Sequence, residues 1–381
     1  ASASQNINSQ RVEKVLNLFA PSNCLGVGTH ATNFGYALEK AGIEICLIPP
    51  FGSISVQNES ITRWLKNRET FDPKNPSLMI FDSGFLTQFC GNPRIGFCVF
   101  ETDGLDPVQL AAIKSCDKII TPSEWGRRVL ALHGIESQVV HEGFDPQQFK
   151  VQPTPTGTIK FCHIGKHELR KGGLQVLDCF FKALENEDAY LEMHCENPFD
   201  PNWMVPSITW LESYGFRVQG TGISFQQVYM PNSTWRRAGL TIRFRPSQNE
   251  NLAAVYAGSD CGIFPSKGEG WGLPLLECLA TGVPAIVGNW TGQSEFLGDT
   301  YPKELTLESF NIEPANDGVW YHGNKGSWNV PSDAELIQKI KWAHQNIRLF
   351  RSTERWSKEV ARLRQYTWDA AAYHFKKFLY K

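Results

Sequence analysis

The chain has 381 residues, enough for two domains with separate cores, and its 41% hydrophobic and 20% charged residues are the balance of an ordinary globular protein. A formal charge of -2 gives no bulk electrostatic attraction for nucleic acid, so no stable nucleic-acid partner is expected. Cysteines lie singly at 24, 46, 90, 98, 116, 162, 179, 195, 261 and 278 with no C-x-x-C pair, which argues against a zinc site or a disulfide framework and for buried thiols in a reducing compartment.

In chain order, strand and helix patterns alternate, the signature of an α/β protein with parallel sheets. Residues 23–27 read as a strand entering a glycine-containing loop; Phe34, Leu38 and Ala41 then share a helical face that Gly42 ends. Residues 44–48 and 95–100 read as strands, and residues 51–76 show no clear period. Two prolines and a glycine in residues 150–157 make the best linker. Beyond it, residues 159–164 and 190–194 read as strands, flanking a helix whose face carries Leu174, Leu177, Phe181 and Leu184. Residues 201–230 are rich in aromatics, lack a period and read as an insertion. Leu252, Val255 and Tyr256 begin a helix, residues 260–264 form an apolar strand, and residues 334–381 are helical, with Trp368, Ala372 and Phe375 at helical spacing. No apolar run approaches the ~18 residues that span a bilayer. No signal peptide is visible either, so a cytoplasmic protein is expected, compatible with peripheral contact at the inner membrane face.

The most informative stretch is Phe264-Pro-Ser-Lys-Gly-Glu-Gly-Trp-Gly-Leu-Pro-Leu-Leu-Glu277, where a strand passes through a glycine-rich loop into a helix. Pro274 suits the first helical turn, and Gly282 with Pro284 ends the helix. Glycines 268, 270 and 272 are expected to let the backbone approach a ligand, and the helix start offers N–H groups to an anion. Ionised Glu269 and Glu277 are pure acceptors suited to hydroxyl pairs, and Trp271 reads as exposed. Backbone donors for phosphate beside carboxylates for hydroxyls are what a nucleotide sugar needs.

This stretch resembles the E-x7-E signature of retaining GT-B glycosyltransferases, family four of the sugar-transferase classification. The resemblance extends to Asp117-Lys-Ile-Ile-Thr-Pro-Ser-Glu-Trp125, to Val139-Val-His-Glu-Gly-Phe-Asp145, and to Phe161-Cys-His-Ile-Gly165 with Arg170-Lys171-Gly172. It implies a GT-B architecture of two Rossmann-like domains facing a central cleft. Residues 1–153 would be the acceptor domain and 158–361 the nucleotide-sugar donor domain, with the last helix, about 362–381, crossing back to the first. It also implies a nucleoside diphosphate sugar as donor and a hydroxyl acceptor on a glycan or glycolipid, with no cofactor and no metal.

Carried over residue by residue, Glu277 would bind ribose hydroxyls and Glu269 the donor sugar, with N–H groups of Gly270, Trp271, Gly272 and Leu273 on sugar and phosphate. Lys166 and Lys171, flanking the turn after Gly165, would clamp the diphosphate. Lys166 stands where the family usually has arginine, which loses a bidentate fork that Arg170 would replace. Glu101, in a Phe-Glu-Thr-Asp run, stands where many relatives carry a catalytic histidine. Gly28 resembles the first glycine loop, with His30 as a loop histidine, and Thr291 and Gly292 would approach the donor. Transfer to modified nucleic acid, using basic groups at Arg236, Arg237, Arg243 and Arg245, is one alternative; a degenerate sugar-binding protein is the other.

Overall fold

The computed structural model describes residues 14–219, 232–245 and 251–380. The expected insertion at 201–230 lies partly outside them; up to residue 219 it contains a helix, Val205–Ser213, and a two-residue strand.

Packing divides the chain into two compact units, Ala1–Cys98 with Ala112–Ile120 and Trp368–Lys381, and Val99–Ala111 with Thr121–Thr367. The first unit is built on a sheet of order β2-β1-β3-β4-β5, formed by β1 (Lys14–Phe19), β2 (Ile43–Ile48), β3 (Ser77–Ile80), β4 (Arg94–Phe97) and β5 (Lys118–Thr121); β6 (Gln138–Val139) belongs to the second unit. Strands β1 to β5 pair in parallel. Helices α1 (Gly26–Lys40), α2 (Glu59–Lys66), α3 (Pro107–Lys114) and α4 (Glu124–Leu132) follow β1, β2, β4 and β5.

The strand expected at residues 23–27 lies upstream, where Leu16, Leu18 and Phe19 are buried; Gly26 instead opens α1 after an extended Leu25. Gly28 and Gly35 therefore belong to a helix and not to a loop. Their glycine character has local causes: a Cβ on Gly28 would lie 2.3 Å from Asn23 Oδ1, and one on Gly35 would lie 2.7 Å from the Trp64 ring. The period hidden in residues 51–76 is α2, which buries Ile61 and Trp64 beneath a polar outer face and is capped by the Asn58 side chain.

The second unit holds a sheet of order β14-β13-β12-β7-β8-β11-β10-β9. Its strands are β7 (Ile159–Lys166), β8 (Ala189–Glu196), β9 (Arg217–Val218), β10 (Ser233–Arg237), β11 (Leu240–Arg245), β12 (Cys261–Phe264), β13 (Ala285–Gly288) and β14 (Thr306–Leu307). The sheet is parallel except at the β9–β10–β11 edge. The central strand β12 is wholly buried, as a parallel strand covered on both faces must be.

Around this sheet pack α5 (Gly173–Leu184), α6 (Val205–Ser213), α7 (Leu252–Ala257), α8 (Leu273–Ala280), α9 (Ser294–Leu297), α10 (Asp333–Arg351) and α11 (Glu354–Leu363). A separate hairpin joins β15 (Phe310–Asn316) to β16 (His322–Pro331). The last helix, α12 (Trp368–Leu379), packs with α1 in the first unit, Phe375 meeting Phe34 at 5.4 Å and Trp368 stacking on His30 at 5.3 Å. His30 is buried there, and burial lowers its pKa to about 3, which suits a neutral core histidine.

By packing, the proline-rich 150–157 segment belongs to the second unit. Gln152 N–H donates to the Thr281 carbonyl at 3.0 Å, and Arg351 Nη2 donates to the Gln152 carbonyl at 3.1 Å.

Candidate active site

All the charged groups of the site lie in the second unit. The chain leaves β12, runs through residues 265–271 and enters α8 with Gly272 at φ +101° as its cap and Pro274 in the first turn. A left-handed cap is why glycine stands at 272. Glycines 268 and 270 have another cause than the expected approach to a ligand. A Cβ on Gly268 would lie 2.0 Å from the Glu101 carbonyl oxygen, and one on Gly270 would lie 2.4 Å from Val99 Cγ1. The loop is glycine-rich because the 99–101 backbone lies directly against it.

Thr291 and Gly292 fix the loop from the other side. Glu269 N–H donates to Thr291 Oγ1 at 3.0 Å, and Gly292 N–H donates to the Glu269 carbonyl at 2.8 Å. Thr291 sits at φ +54°, a costly conformation for a β-branched residue, and a Cβ on Gly292 would overlap the Gly270 carbonyl at 1.8 Å. The backbone of Glu269 is thus held at both polar groups.

β7 supplies the cations. After Gly165 (φ +153°) a single turn, Leu169–Lys171, ends at Gly172 in the left-handed region before α5 begins. Arg170 Nη1 donates to the Gly268 carbonyl at 2.7 Å and lies 3.2 Å from Glu269 Oε2. Its Nη2 donates to Glu168 Oε1 at 2.7 Å and lies 3.7 Å from Glu101 Oε1. Lys171 Nζ donates to Glu269 Oε1 at 2.5 Å.

Burial alone would push the Glu269 carboxyl up, but Lys171 and Arg170 overcome it and hold the pKa at about 2. Glu168 is likewise held below the usual range, against its burial, by Arg170 and Lys166. Burial lowers Lys171, while Glu269 pulls it back up.

The structure therefore brings Glu101, Arg170, Lys171 and Glu269 into one ion cluster. Lys166 joins it only at the edge, 3.1 Å from Glu168 Oε2 and with its ammonium over the Phe199 ring. Glu277 lies apart, buried on α8, where desolvation raises its pKa to about 8 although the Tyr256 hydroxyl lowers it. Leu273 is buried at the start of the same helix. Gly28 lies in the first unit, within α1.

Trp271 does not have the exposed side chain expected of it. It is 2% exposed, stacked on His141 at 5.4 Å and packed against Phe296 and Tyr366, so only its backbone is left for a donor. The basic groups weighed as a nucleic-acid face also have protein partners: Arg245 lies 2.6 Å from Glu192, and Arg237 sits over the Phe181 ring. Glu101 and Asp103 diverge, one toward Arg170 and Tyr321 and the other to the Ser327 N–H.

Three residues of the site were not singled out from sequence. Glu142, buried in the turn after β6, has a carboxyl raised to about 8 by desolvation and by the charges of Glu269 and Glu101. His163 on β7 is fully buried; its Nδ1 donates to the Ile263 carbonyl at 2.8 Å, which leaves Nε2 as an acceptor without a protein partner. Burial lowers its pKa to about 4. Tyr321, at the turn of the β15–β16 hairpin, donates its hydroxyl to Glu101 Oε2 at 2.7 Å. A small cavity here is lined by His163, Lys171, Ser266, Glu269, Gly272 and Gln293. It combines one fixed cation, Lys171, a carboxylate and the first turn of a helix.

Residues 232–375 match the family model described as Family 4 Glycosyltransferase in conflict systems. A 93-residue stretch is 41% identical to O-antigen chain mannosyltransferase B of Escherichia coli, covering 24% of this chain and 24% of that protein, so the match spans about a quarter of the curated relative. Among solved structures, sucrose-phosphate synthase from Thermosynechococcus elongatus superposes with a TM-score of 0.61 at 14% identity, covering 96% of this chain and 98% of the other. Anabaena HepE in complex with UDP-glucose gives 0.65 at 11% identity, covering 96% and 99%. A glycosyltransferase from Rickettsia africae gives 0.65 at 12% identity, covering 97% and 98%. At these identities the structural likeness speaks for the fold. The chain thus has the fold of the GT-B glycosyltransferases it superposes on, and residues 232–375 are similar to a family-four glycosyltransferase model.

Proposed function

We propose that this protein is a retaining, metal-independent glycosyltransferase that moves a hexose from a UDP- or GDP-sugar to a hydroxyl on a glycan or glycolipid. The observation that carries the reading is the Arg170–Lys171–Glu269 cluster beside the first turn of α8. Breaking the anomeric C–O bond sends an electron pair to the departing diphosphate, and negative charge grows there in the transition state. Lys171 and Arg170 are fixed cations where that charge would develop, the work a metal ion does elsewhere. As the diphosphate draws Lys171 away, Glu269 gains free lone pairs for hydroxyls of the transferred sugar. Glu277 would take the ribose hydroxyls from α8.

Retention follows if the acceptor oxygen attacks on the face the diphosphate leaves, with the acceptor's proton passing to a leaving phosphate oxygen. The name of the Escherichia coli relative and the UDP-glucose bound to HepE support a sugar donor of this class. No helix among the described residues is long and apolar enough to cross a membrane. A cytoplasmic enzyme, peripheral to the inner membrane face when its acceptor is lipid-linked, is the corresponding location.

The test is release of UDP or GDP from UDP-glucose and GDP-mannose by the purified chain, with and without EDTA, while anomeric protons are followed by NMR. An α-linked donor yielding an α-linked product in EDTA supports the reading. Inversion refutes retention, and loss of turnover in EDTA refutes metal independence.

A further inference from the structure

The β15–β16 hairpin reaches the ion cluster from a part of the chain that no motif marks. It is docked on residues 103–106 by four contacts. Ser327 N–H donates to Asp103 Oδ1 at 2.5 Å, and Asp103 N–H points back at the Ser327 carbonyl at 3.4 Å. Lys325 Nζ lies 3.5 Å from Asp106. Gly326, at φ +78°, meets Gly104 so closely that a Cβ on Gly326 would lie 2.2 Å from Gly104 N. On the other side, Asn329 N–H donates to the Lys267 carbonyl at 2.9 Å, and the Lys267 ammonium sits over the Trp328 ring at 5.1 Å.

These contacts aim one side chain. Asp317 Oδ1 accepts from the N–H groups of Val319, Trp320 and Tyr321 at 2.9, 2.8 and 2.9 Å, which sets the turn. The Tyr321 ring packs against Trp328 at 5.5 Å, and its hydroxyl ends 2.7 Å from Glu101 Oε2. Burial and the Glu101 charge push the phenol far up, so the hydroxyl keeps its proton and donates. The other oxygen of Glu101 faces Arg170.

We propose that Tyr321 is a positioning residue for Glu101: the hairpin presents its hydroxyl to one carboxylate oxygen, so that Glu101 is held toward Arg170 in the orientation sugar transfer requires. The inference rests on the transferase reading above and adds to it a residue outside the glutamate and lysine motifs. Removing the hydroxyl while keeping the ring frees the carboxylate to rotate and leaves the diphosphate clamp intact.

The experiment compares the full-length wild type with Tyr321→Phe, Glu101→Gln, the double variant and Lys325→Ala. Each is assayed with UDP-glucose and GDP-mannose for kcat and KM, and with UDP and GDP for thermal shift. Losing a hydrogen bond to a charged group lowers kcat roughly ten- to hundredfold. The expectation for Tyr321→Phe is that loss, with donor KM and nucleotide shift unchanged. The double variant should be no slower than Glu101→Gln alone. Lys325→Ala removes one of the several contacts that dock the hairpin, so its loss in kcat should be smaller than that of Tyr321→Phe. Wild-type kcat in Tyr321→Phe overturns the proposal; so do losses that multiply in the double variant, or equal losses in Tyr321→Phe and Lys325→Ala. If the wild type transfers from neither donor, the transferase reading itself falls and this role falls with it.

Discussion

Replacing Arg170 by methionine removes the guanidinium that Glu101, Glu168 and Glu269 share, while keeping an unbranched apolar stem in its place. Arg170 is buried, donates at 2.7 Å to both the Gly268 carbonyl and Glu168, and lies 3.2 Å from Glu269. Breaking a buried pair from one side leaves the other charge uncompensated, at a cost of about 3–5 kcal/mol. An independent route gives a similar size. Holding Glu269 at about 2 against an ordinary value of 4.5 corresponds to about 3 kcal/mol, shared between Lys171 and Arg170.

The sign with pH follows. A depressed carboxylate stabilises the fold above its unfolded pKa, and that contribution is lost as pH falls from 4.5 through about 2. Urea unfolding of wild type and Arg170→Met at pH 7 should therefore differ by about 3–5 kcal/mol, and the gap should close progressively below pH 4.5. A difference under about 1 kcal/mol at pH 7, or one that persists unchanged at pH 3, would refute the idea that this guanidinium neutralises the cluster.

Other expectations concern the neighbouring groups. Lys171→Met should abolish the thermal shift by UDP or GDP while destabilising the free protein less than Arg170→Met, because Arg170 remains beside Glu269. Glu269→Ala should mainly lower kcat, and Glu277→Ala should mainly weaken nucleotide binding; equal wild-type turnover in both would remove the donor-site assignment. Glu142 and Glu277, raised to about 8 in the fold, should make stability fall as pH rises from about 4.5 to 8, by up to about 1.4 kcal/mol per pH unit for each. Glu277→Gln should flatten that slope, and an unchanged slope would show that its carboxyl is already ionised. Gly268→Ala should lower Tm by several degrees, because its Cβ would meet the Glu101 carbonyl at 2.0 Å.

The two-sheet architecture was legible because its signal is local. β12 is a short apolar run, Gly272 and Pro274 punctuate the start of α8, and Gly282 ends it within a few residues. Lys171, Arg170 and Glu269 were legible for the same reason: each sits in a motif whose spacing is set by a single strand-to-helix turn. What failed depended on distant partners. Glycines 268 and 270 read as an opening for a ligand, since nothing in the loop reveals that residues 99–101 fill the space. Trp271 read as exposed among glycines, but His141, Phe296 and Tyr366 enclose it from three separate segments. The hairpin carrying Tyr321 shows no apolar alternation on β15, which is exposed at every residue but Ala315. Gly28 read as part of a loop because glycine inside a helix looks like loop punctuation until Asn23 is seen beside it.

The most direct test of the central claim is thermal unfolding of the intact chain with UDP, GDP, ADP, dTDP and CMP, each with and without EDTA. A nucleotide at ~100 times its Kd adds ~2.7 kcal/mol to stability, a clear rise in Tm. The account predicts that UDP or GDP gives this rise, that EDTA leaves it unchanged, and that Lys171→Met removes it. No rise with any of the five, or a rise that EDTA abolishes, would contradict a donor site built from Arg170, Lys171 and the first turn of α8.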